Sequence, residues 1–379
     1  MTSNFLPGRG RGGAERYAAT LAASLAARGH RVTMYSGDAG SIAGVECRRL
    51  PAMSELDPTA SMARRTGWHL REQWLPAVHR ELRGGLEEEP PDVVHSHEPQ
   101  LLSAAVFTAV AAAGLPHVHT AHDFNLLCAR VTMTRAGSPC GGGCAGCRLQ
   151  RAVRVRAIRR RLDLLIAPSD FVRERHLEYA VAVPARALTI RHGAAPGSER
   201  LRQPEPGRLR LGYLGALSPH KGVRTLLRAV ASMPAGWTLA LAGAGPLEGE
   251  VRAATGRDPR ISFAGEVGEG GRDAFLDGLD LLVIPSEWEE PATLVAVEAA
   301  VRGLPAVVSD RGGLPETPQA AVFAAGDSAA LLAALTELDR KPAIVSDRSA
   351  SLLSSSSAYR WSTHLEAVEG ALARVATTS

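Results

Sequence analysis

Short apolar runs alternate with longer segments of helical composition along most of the chain. The runs Leu164 to Ala167 and Leu281 to Ile284 contain no polar residue, which is typical of strands buried on both faces of a parallel sheet. Ala-rich segments such as Leu101 to Ala113 lie between the runs and predict crossover helices. This alternation predicts an α/β fold whose parallel sheets are built from βαβ units.

The alternation is interrupted at residues 194–207, which hold three prolines and two glycines and predict a linker. We therefore expect an N-terminal domain at 1–195, a C-terminal domain at 208–357 and a last helical segment at 358–379. A chain of 379 residues with 45% hydrophobic and 22% charged residues can bury a core in each domain. Few residues precede the glycine-rich segment Gly8 to Glu15, so the first strand is expected to be truncated.

Composition and charge limit the kinds of molecule that the protein is expected to bind. The net charge of +4 is small and aromatic residues make up 4% of the chain, so we expect no nucleic-acid partner. The apolar segment Leu101 to Leu115 is shorter than a membrane-spanning helix, and no secretory signal opens the chain, so the sequence predicts a cytoplasmic protein. Seven of the fourteen residues from Arg148 to Arg161 are arginine. Their spacing favours a solvated helix, while peripheral contact with the inner face of an anionic membrane stays open.

The stretch from Pro285 to Glu298 combines a strand end, a polar turn and a helix start. We expect the helix to begin at Ala292, where the free amides of Ala292, Thr293 and Leu294 could hold a phosphate. The carboxylates of Glu290 and Glu298 could accept hydrogen bonds from sugar hydroxyls. Such a set suits a nucleotide sugar. Taken singly, however, Glu290 is better explained as a helix cap and Glu298 as a solvated helical residue than as catalytic groups.

The run from Pro285 to Glu298, continued as far as Glu316, resembles the C-terminal signature of the family 4 glycosyltransferases. The segments Gly12 to Arg16, His122-Asp123 and Gly215 to Gly222 match other motifs of that family. The resemblance implies the GT-B fold, in which two Rossmann-like, doubly wound domains face a cleft and the C-terminal helix crosses back to the first domain. It also implies a retaining reaction.

The resemblance implies roles for single residues. Glu290 would contact the donor sugar and His122 would face that sugar from the first domain, so both are predicted to be catalytic. Lys221 would pair with the donor diphosphate and Glu298 would hold the ribose. The other predicted donor-binding residues are Gly12, Gly13, Gly215, Ala292, Thr293, Leu294 and Arg224. Ala216 stands where the family usually has an arginine, so His220 or Arg224 could share the task of Lys221. His95 and His97 form a second, weaker histidine pattern.

The predicted function is transfer of a sugar from a nucleoside diphosphate sugar to an acceptor hydroxyl with retention at the anomeric carbon. The acceptor is a small molecule, a glycan or a lipid-linked molecule. No Asp-x-Asp occurs in the chain, so no cofactor is expected for catalysis. The alternative is a catalytically inactive module that binds a nucleotide sugar.

A group of cysteines follows the His122-Asp123 motif. Cys140, Cys144 and Cys147 lie within eight residues and Cys128 lies upstream, which gives the four thiolates of a tetrahedral zinc site. We expect a structural zinc ahead of free thiols on a glycine-rich loop, and an iron–sulfur cluster third.

Overall fold

The computed structural model describes residues 1–4, 12–57, 59–135, 138–140, 143, 145–159 and 161–377. Their contacts divide the chain into two compact units. Unit 1 comprises Met1–Met133, Cys140–Arg191 and Leu365–Ser379, and unit 2 comprises Thr134–Pro139 and His192–His364.

Unit 1 contains a parallel sheet of seven strands with the order β3-β2-β1-β4-β5-β6-β7. The strands are β1 (Thr2–Ser3), β2 (Thr33–Ser36), β3 (Glu46–Arg49), β4 (Val94–His97), β5 (His117–Thr120), β6 (Leu164–Ala167) and β7 (Ala187–Thr189). The helices are α1 (Gly13–Ala27), α2 (Met62–Arg71), α3 (Pro76–Glu88), α4 (Ala105–Ala112), α5 (Ala145–Ile158) and α6 (Asp170–Glu178). The strand β1 is short, yet it pairs with both β2 and β4.

Unit 2 contains a second parallel sheet, of six strands, with the order β10-β9-β8-β11-β12-β13. The strands are β8 (Arg210–Leu214), β9 (Thr238–Ala242), β10 (Ile261–Phe263), β11 (Leu281–Ile284), β12 (Ala306–Ser309) and β13 (Gln319–Phe323). The helices are α7 (Val223–Val230), α8 (Glu248–Arg257), α9 (Glu269–Asp277), α10 (Leu294–Ala300), α11 (Ser328–Arg340) and α12 (Pro342–Ser354). The last helix, α13 (Trp361–Thr377), begins in unit 2 and belongs to unit 1 from Leu365 onward. A two-stranded hairpin, Thr134–Arg135 with Ser138–Pro139, completes the described strands.

Both sheets have the doubly wound arrangement that the apolar runs predict. In each sheet the first strand of the unit is an inner strand, and the strand order reverses beside it. Doubly wound sheets bind ligands at this point, outside the carboxyl ends of their strands. Buried leucines from neighbouring strands, such as Leu211, Leu239 and Leu281, form the core of unit 2 together with the apolar face of α7. In the part of α13 that belongs to unit 1, the Glu369 carboxylate lies 2.6 Å from His30 Nε2.

Two predicted helix starts are wrong. The helix predicted from Leu101 begins at Ala105, because Ser103 takes a left-handed backbone with φ of +65° and its hydroxyl accepts a bond from the Ala105 amide at 3.1 Å. The helix predicted from Ala292 begins at Leu294, because Thr293 before it is extended, with φ of −121° and ψ of 124°. None of the helices in the described ranges has the length and hydrophobicity that a membrane-spanning helix needs.

Candidate functional site

Two loops of unit 2 meet where the adjacent strands β8 and β11 end. One loop leaves β8 and carries Lys221, and the other leaves β11 and carries Glu290. The Glu287 amide donates to the His220 carbonyl at 2.8 Å and so joins the loops. Gly222 has φ of +72°, and a Cβ at this position would lie 1.7 Å from the carbonyl oxygen of Pro285. Only glycine allows this approach, which explains why the residue after Lys221 lacks a side chain.

The side chains of Lys221 and Glu290 are bonded directly to each other. Lys221 Nζ lies 2.9 Å from both carboxylate oxygens of Glu290. Ser286 Oγ and Trp288 Nε1 also donate to Glu290 Oε2, at 2.8 and 2.7 Å. Glu290 is 4% exposed, whereas the Lys221 side chain is 24% exposed. The carboxylate is therefore enclosed by donors, while the ammonium remains open to an anion from solvent.

The glycine pair further along the signature holds the backbone of Glu290. Gly312 has φ of +60°, and a Cβ on it would lie 2.2 Å from the Glu290 carbonyl oxygen. The Gly313 amide donates to that same oxygen at 2.7 Å, and the Gly312 amide donates to Glu289 Oε2 at 3.1 Å. These contacts fix the position of Glu290 through its main chain.

Lys221 has two predicted substitutes, and neither is a cation bonded to Glu290. Burial, followed by the charge of Lys221, lowers the pKa of His220, so this ring is neutral at physiological pH. The Arg224 guanidinium donates to both carboxylate oxygens of Glu250 on α8, at 2.9 and 2.6 Å. The structure therefore brings Lys221 to Glu290 and directs Arg224 to another partner.

Glu298 lies on α10 and pairs with Arg272 of α9. The guanidinium of the buried Arg302 donates to the Glu298 carbonyl at 2.7 Å and pairs with Asp273. Neither arginine was identified from the sequence, since Arg272 lies outside every matched motif and Arg302 was given no role within the run that continues to Glu316. Ala292 and Thr293 precede α10, and Leu294 is its first residue. The predicted role of these residues in donor binding stays a prediction.

In unit 1, His122 follows β5 and contacts two aromatic rings. Its Nε2 lies 3.0 Å from Nδ1 of His97 at the end of β4. The Tyr17 ring of α1 meets the His122 ring edge-on, with centroids 4.8 Å apart. Gly12 precedes α1 and Gly13 begins it, while residues 5–11 of the glycine-rich segment lie outside the described residues. The matched motifs of unit 1 thus adjoin one another at the carboxyl ends of its central strands.

Three carboxyl groups lie beside this histidine pair. Burial raises the pKa of Asp123 to about 7, and the negative charge of Glu15 raises it further against the opposing effect of its bond from the Asn125 amide. Burial, followed by the charge of Asp123, raises the pKa of Glu98 well above its usual value. Groups with such shifted pKa values are frequent in functional sites.

A buried ion pair corrects the expectation of a solvated arginine helix. Arg154 of α5 is 4% exposed, and its Nη2 lies 2.8 Å from Oε2 of Glu72, which is 1% exposed. Arg154 also donates to the carbonyl of Asn125. These three residues line a pocket together with Gln100, Ser103 and Ile158. Around it, Glu72 Oε1 and Asn125 Nδ2 have no hydrogen-bond partner among the described residues. The sequence did not indicate this pocket, because its charged residues stand in no motif.

The described cysteines are half-buried and none of them forms a disulfide with another. Cys147 lies in the first turn of α5, and the Cys140 amide donates to the Met133 carbonyl at 2.7 Å. Among the residues that the structure describes, no three His, Cys, Asp or Glu side chains are grouped to hold a metal ion. Cys144 lies outside the described residues, so the four-thiolate site stays a prediction.

Two family models match the chain. Residues 11–194 match the model described as Glycosyltransferase Family 4, and residues 208–340 match the model described as Glycosyl transferases group 1. Together with the two doubly wound sheets, these matches define a glycosyltransferase with the GT-B fold. The chain belongs to glycosyltransferase family 4, as its motifs predict.

Curated relatives include two glycosyltransferases with a named activity. The phosphatidyl-myo-inositol mannosyltransferase of Mycobacterium leprae is 28% identical over 341 residues, which cover 87% of this chain and 84% of the relative. The 2-deoxystreptamine glucosyltransferase of Streptomyces kanamyceticus is 29% identical over 263 residues, which cover 65% of this chain and 67% of the relative.

Solved structures share the fold at low sequence identity. The sucrose-phosphate synthase of Thermosynechococcus elongatus has a TM-score of 0.73 at 20% identity, and the match covers 97% of this chain and 94% of that one. Anabaena HepE in complex with UDP and glucose has a TM-score of 0.71 at 18% identity and covers 98% of each chain.

Proposed function

We propose that this glycosyltransferase moves a sugar from a nucleoside diphosphate sugar to an acceptor hydroxyl, with retention at the anomeric carbon. The observation that carries the proposal is the contact of Lys221 Nζ with both carboxylate oxygens of Glu290. The diphosphate of such a donor can accept hydrogen bonds from the Lys221 ammonium. Its sugar hydroxyls can donate hydrogen bonds to the Glu290 carboxylate. The two ends of such a donor therefore match the two members of the ion pair.

In the proposed reaction, the bond between the anomeric carbon and the diphosphate oxygen breaks, and the acceptor oxygen bonds to the same face of that carbon. The acceptor hydroxyl gives its proton to the departing phosphate. Lys221 stabilises the charge that grows on the diphosphate, which is an electrostatic role that needs no metal ion. Glu290 orients the sugar, and we propose that His122 contacts the sugar from unit 1.

Ligands bound in related structures support a nucleoside diphosphate donor. HepE of Anabaena was solved with UDP and with UDP-glucose, and starch synthase IV of Arabidopsis thaliana was solved with ADP and acarbose. Binding to this chain is tested with a panel of UDP, ADP and GDP sugars, because a ligand that binds only the folded state raises the melting temperature.

The panel includes two variants that separate the candidate cations. We expect Lys221→Ala to lose the thermal shift that the best donor causes and Arg224→Ala to keep it, since Lys221 contacts Glu290 whereas Arg224 is directed at Glu250 on α8. A shift that survives in Lys221→Ala and disappears in Arg224→Ala would assign the diphosphate to Arg224. A donor that binds but is never consumed, with any acceptor, would support the inactive binding module.

We further propose that the acceptor is lipid-linked and is met at an anionic membrane. Two helices of unit 1 expose apolar and basic side chains together. The exposed apolar residues are Met62 and Leu70 of α2 and Leu149 and Val153 of α5. The exposed arginines on the same helices are Arg64, Arg65, Arg71, Arg148 and Arg156. Apolar insertion combined with basic residues is the pattern that binds anionic lipid surfaces.

Sedimentation with vesicles tests this membrane contact. Vesicles of phosphatidylglycerol and phosphatidylcholine should carry the protein down at low salt, and vesicles of phosphatidylcholine alone should not. The double variant Leu149→Ser/Val153→Ser should stay in the supernatant. The control variant Val183→Ser changes an exposed valine outside both helices and should sediment like the unchanged protein. Protein that stays in the supernatant with both kinds of vesicle would instead favour a small-molecule or glycan acceptor.

A further inference from the structure

His97 is a buried histidine with one hydrogen bond from its ring. It is 0% exposed, and its Nδ1 lies 3.0 Å from Nε2 of His122. Its Nε2 has no hydrogen-bond partner among the described residues. The rings of His95 and Tyr17 pack against it, with centroids 4.1 and 5.8 Å away. The second nitrogen is buried, and within the described part of the chain the ring has one place at which an N–H group can be satisfied.

The protonation state of this ring limits how it can bond. Burial, followed by the charges of His95 and His122, lowers the pKa of His97 well below its usual value, so the ring is neutral and carries a single N–H. A proton on Nε2 would bury an unpaired donor, which carries its full desolvation penalty. A proton on Nδ1 is bonded to His122 and leaves only a lone pair unpaired at Nε2. The second arrangement is the stable one.

We propose that His97 is a positioning residue that sets the tautomer of His122. His97 donates from Nδ1 to Nε2 of His122, so the single proton of neutral His122 is carried on its Nδ1. The nitrogen that a histidine protonates is set by the hydrogen bond that its other nitrogen makes. This inference rests on the proposed function only for the consequence that His122 matters to the donor sugar.

The assignment decides what His122 can do chemically. Its Nδ1–H can donate a hydrogen bond to a sugar hydroxyl or a phosphate oxygen, but the neutral ring offers no lone pair at that atom for use as a base. A second proton on His122 would lie on Nε2, so that two N–H groups, of His122 and of His97, would face each other. With its Nε2 occupied by the His97 N–H, His122 has Nδ1 as its donor atom.

Nitrogen NMR of protein labelled with ¹⁵N histidine tests the tautomer directly and needs no substrate. The chain has 12 histidines, so the His122 signals are identified as those lost in His122→Gln. We expect Nδ1 of His122 to give the pattern of a protonated nitrogen and Nε2 that of an unprotonated one. Protonation at Nε2, or averaging between the two nitrogens, overturns the proposal.

Three variants assign the effect to His97. His97→Asn keeps an N–H near the place of Nδ1 and should preserve the tautomer, whereas His97→Phe keeps a ring without a donor and should release it. The control His95→Phe alters the neighbouring buried ring, whose Nε2 bonds Thr120 Oγ1, and should leave His122 unchanged. A shift of the His122 tautomer in His95→Phe equal to that in His97→Phe would overturn the assignment.

Turnover separates this inference from the proposed function. With a donor identified, His97→Phe should lower kcat on the order of tenfold while His97→Asn restores it, since one hydrogen bond is lost and regained. Unchanged turnover in His122→Ala would remove His122 from the proposed mechanism and would leave the tautomer result standing.

Discussion

Glu290 is the residue whose surroundings are most specific. Its carboxylate accepts bonds from Lys221, Ser286 and Trp288, and its carbonyl accepts the bond from Gly313. A carboxylate held from both its side chain and its main chain is preorganised, so it costs little to orient when the sugar reacts.

We predict that Glu290→Gln lowers kcat by about a hundredfold, because the lost charge acts mainly when the transition state forms. Donor affinity should not weaken, since the variant frees Lys221 for the diphosphate. Steady-state kinetics and a binding titration measure the two effects. Glu287→Gln is the matched control, because Glu287 lies in the same loop and bonds Thr225 instead. Equal turnover in the two variants would remove Glu290 from the mechanism.

The ion pair between Arg154 and Glu72 affects the stability of unit 1. We predict that Arg154→Met lowers the free energy of unfolding by about 3–5 kcal/mol, because it leaves the Glu72 carboxylate buried without its partner. Arg156→Met, at an exposed position of the same helix, should change it by less than about 0.5 kcal/mol. Urea unfolding measures both variants. The double variant Glu72→Gln/Arg154→Met should recover part of the loss, and additive losses would show that the pair is not coupled.

Residues inside motifs were predictable from the sequence, and residues recruited across the fold were not. Lys221 and Glu290 each follow a strand in a recognisable pattern, and the adjacent strands β8 and β11 bring them together. Arg154 and Glu72 stand in no pattern, so only the packing of α5 shows that one arginine of that run is buried. The bond between His97 and His122 likewise depends on the pairing of β4 with β5.

Among the elements, the apolar strands were predicted more accurately than the helix ends. The strands Leu164–Ala167 and Leu281–Ile284 have the predicted bounds, because four consecutive buried residues leave no ambiguity. The starts of α4 and α10 were misplaced, since the backbones of Ser103 and Thr293 decide them and composition does not show those angles.

The cysteine-containing loop is the element whose chemistry stays a prediction. We predict about one zinc per chain, bound by Cys128, Cys140, Cys144 and Cys147 with Zn–S distances near 2.3 Å. Elemental analysis of reduced protein and X-ray absorption measure the content and the distances. Cys47→Ser is the control, because Cys47 lies on β3 outside the loop, and it should keep the metal that Cys128→Ser loses. Metal-free protein with reactive thiols at all four positions would contradict the prediction.

For the whole molecule, buried histidines predict loss of stability in mild acid. Burial lowers the pKa of His117 and His192 to about 3 and that of His176 to about 4, and it lowers the pKa of His97 and His119 in the same direction. The unfolded chain binds protons near pH 6.5, above these folded values. The stabilisation is therefore complete above pH 6.5 and is lost as the pH falls, by about 2 kcal/mol per histidine at pH 5.

Two carboxyl groups act in the opposite direction. The raised pKa values of Asp123 and Glu98 mean that the folded state keeps protons that the unfolded state has lost, so acid favours folding at these groups. Five histidines outnumber them, and we expect a lower free energy of unfolding at pH 5 than at pH 7.5. Urea unfolding at both values measures it, and equal or greater stability at pH 5 would contradict the burial of these rings.

We propose retaining transfer from a nucleotide sugar, and proton NMR of donor hydrolysis tests it without knowledge of the acceptor. The protein is mixed with the donor that the thermal-shift panel selects, and the anomeric signal of the released sugar is followed before mutarotation. We predict that the first sugar released from an α-linked donor is the α anomer, together with free nucleoside diphosphate, and that Glu290→Gln releases it far more slowly. First release of the β anomer would contradict the account.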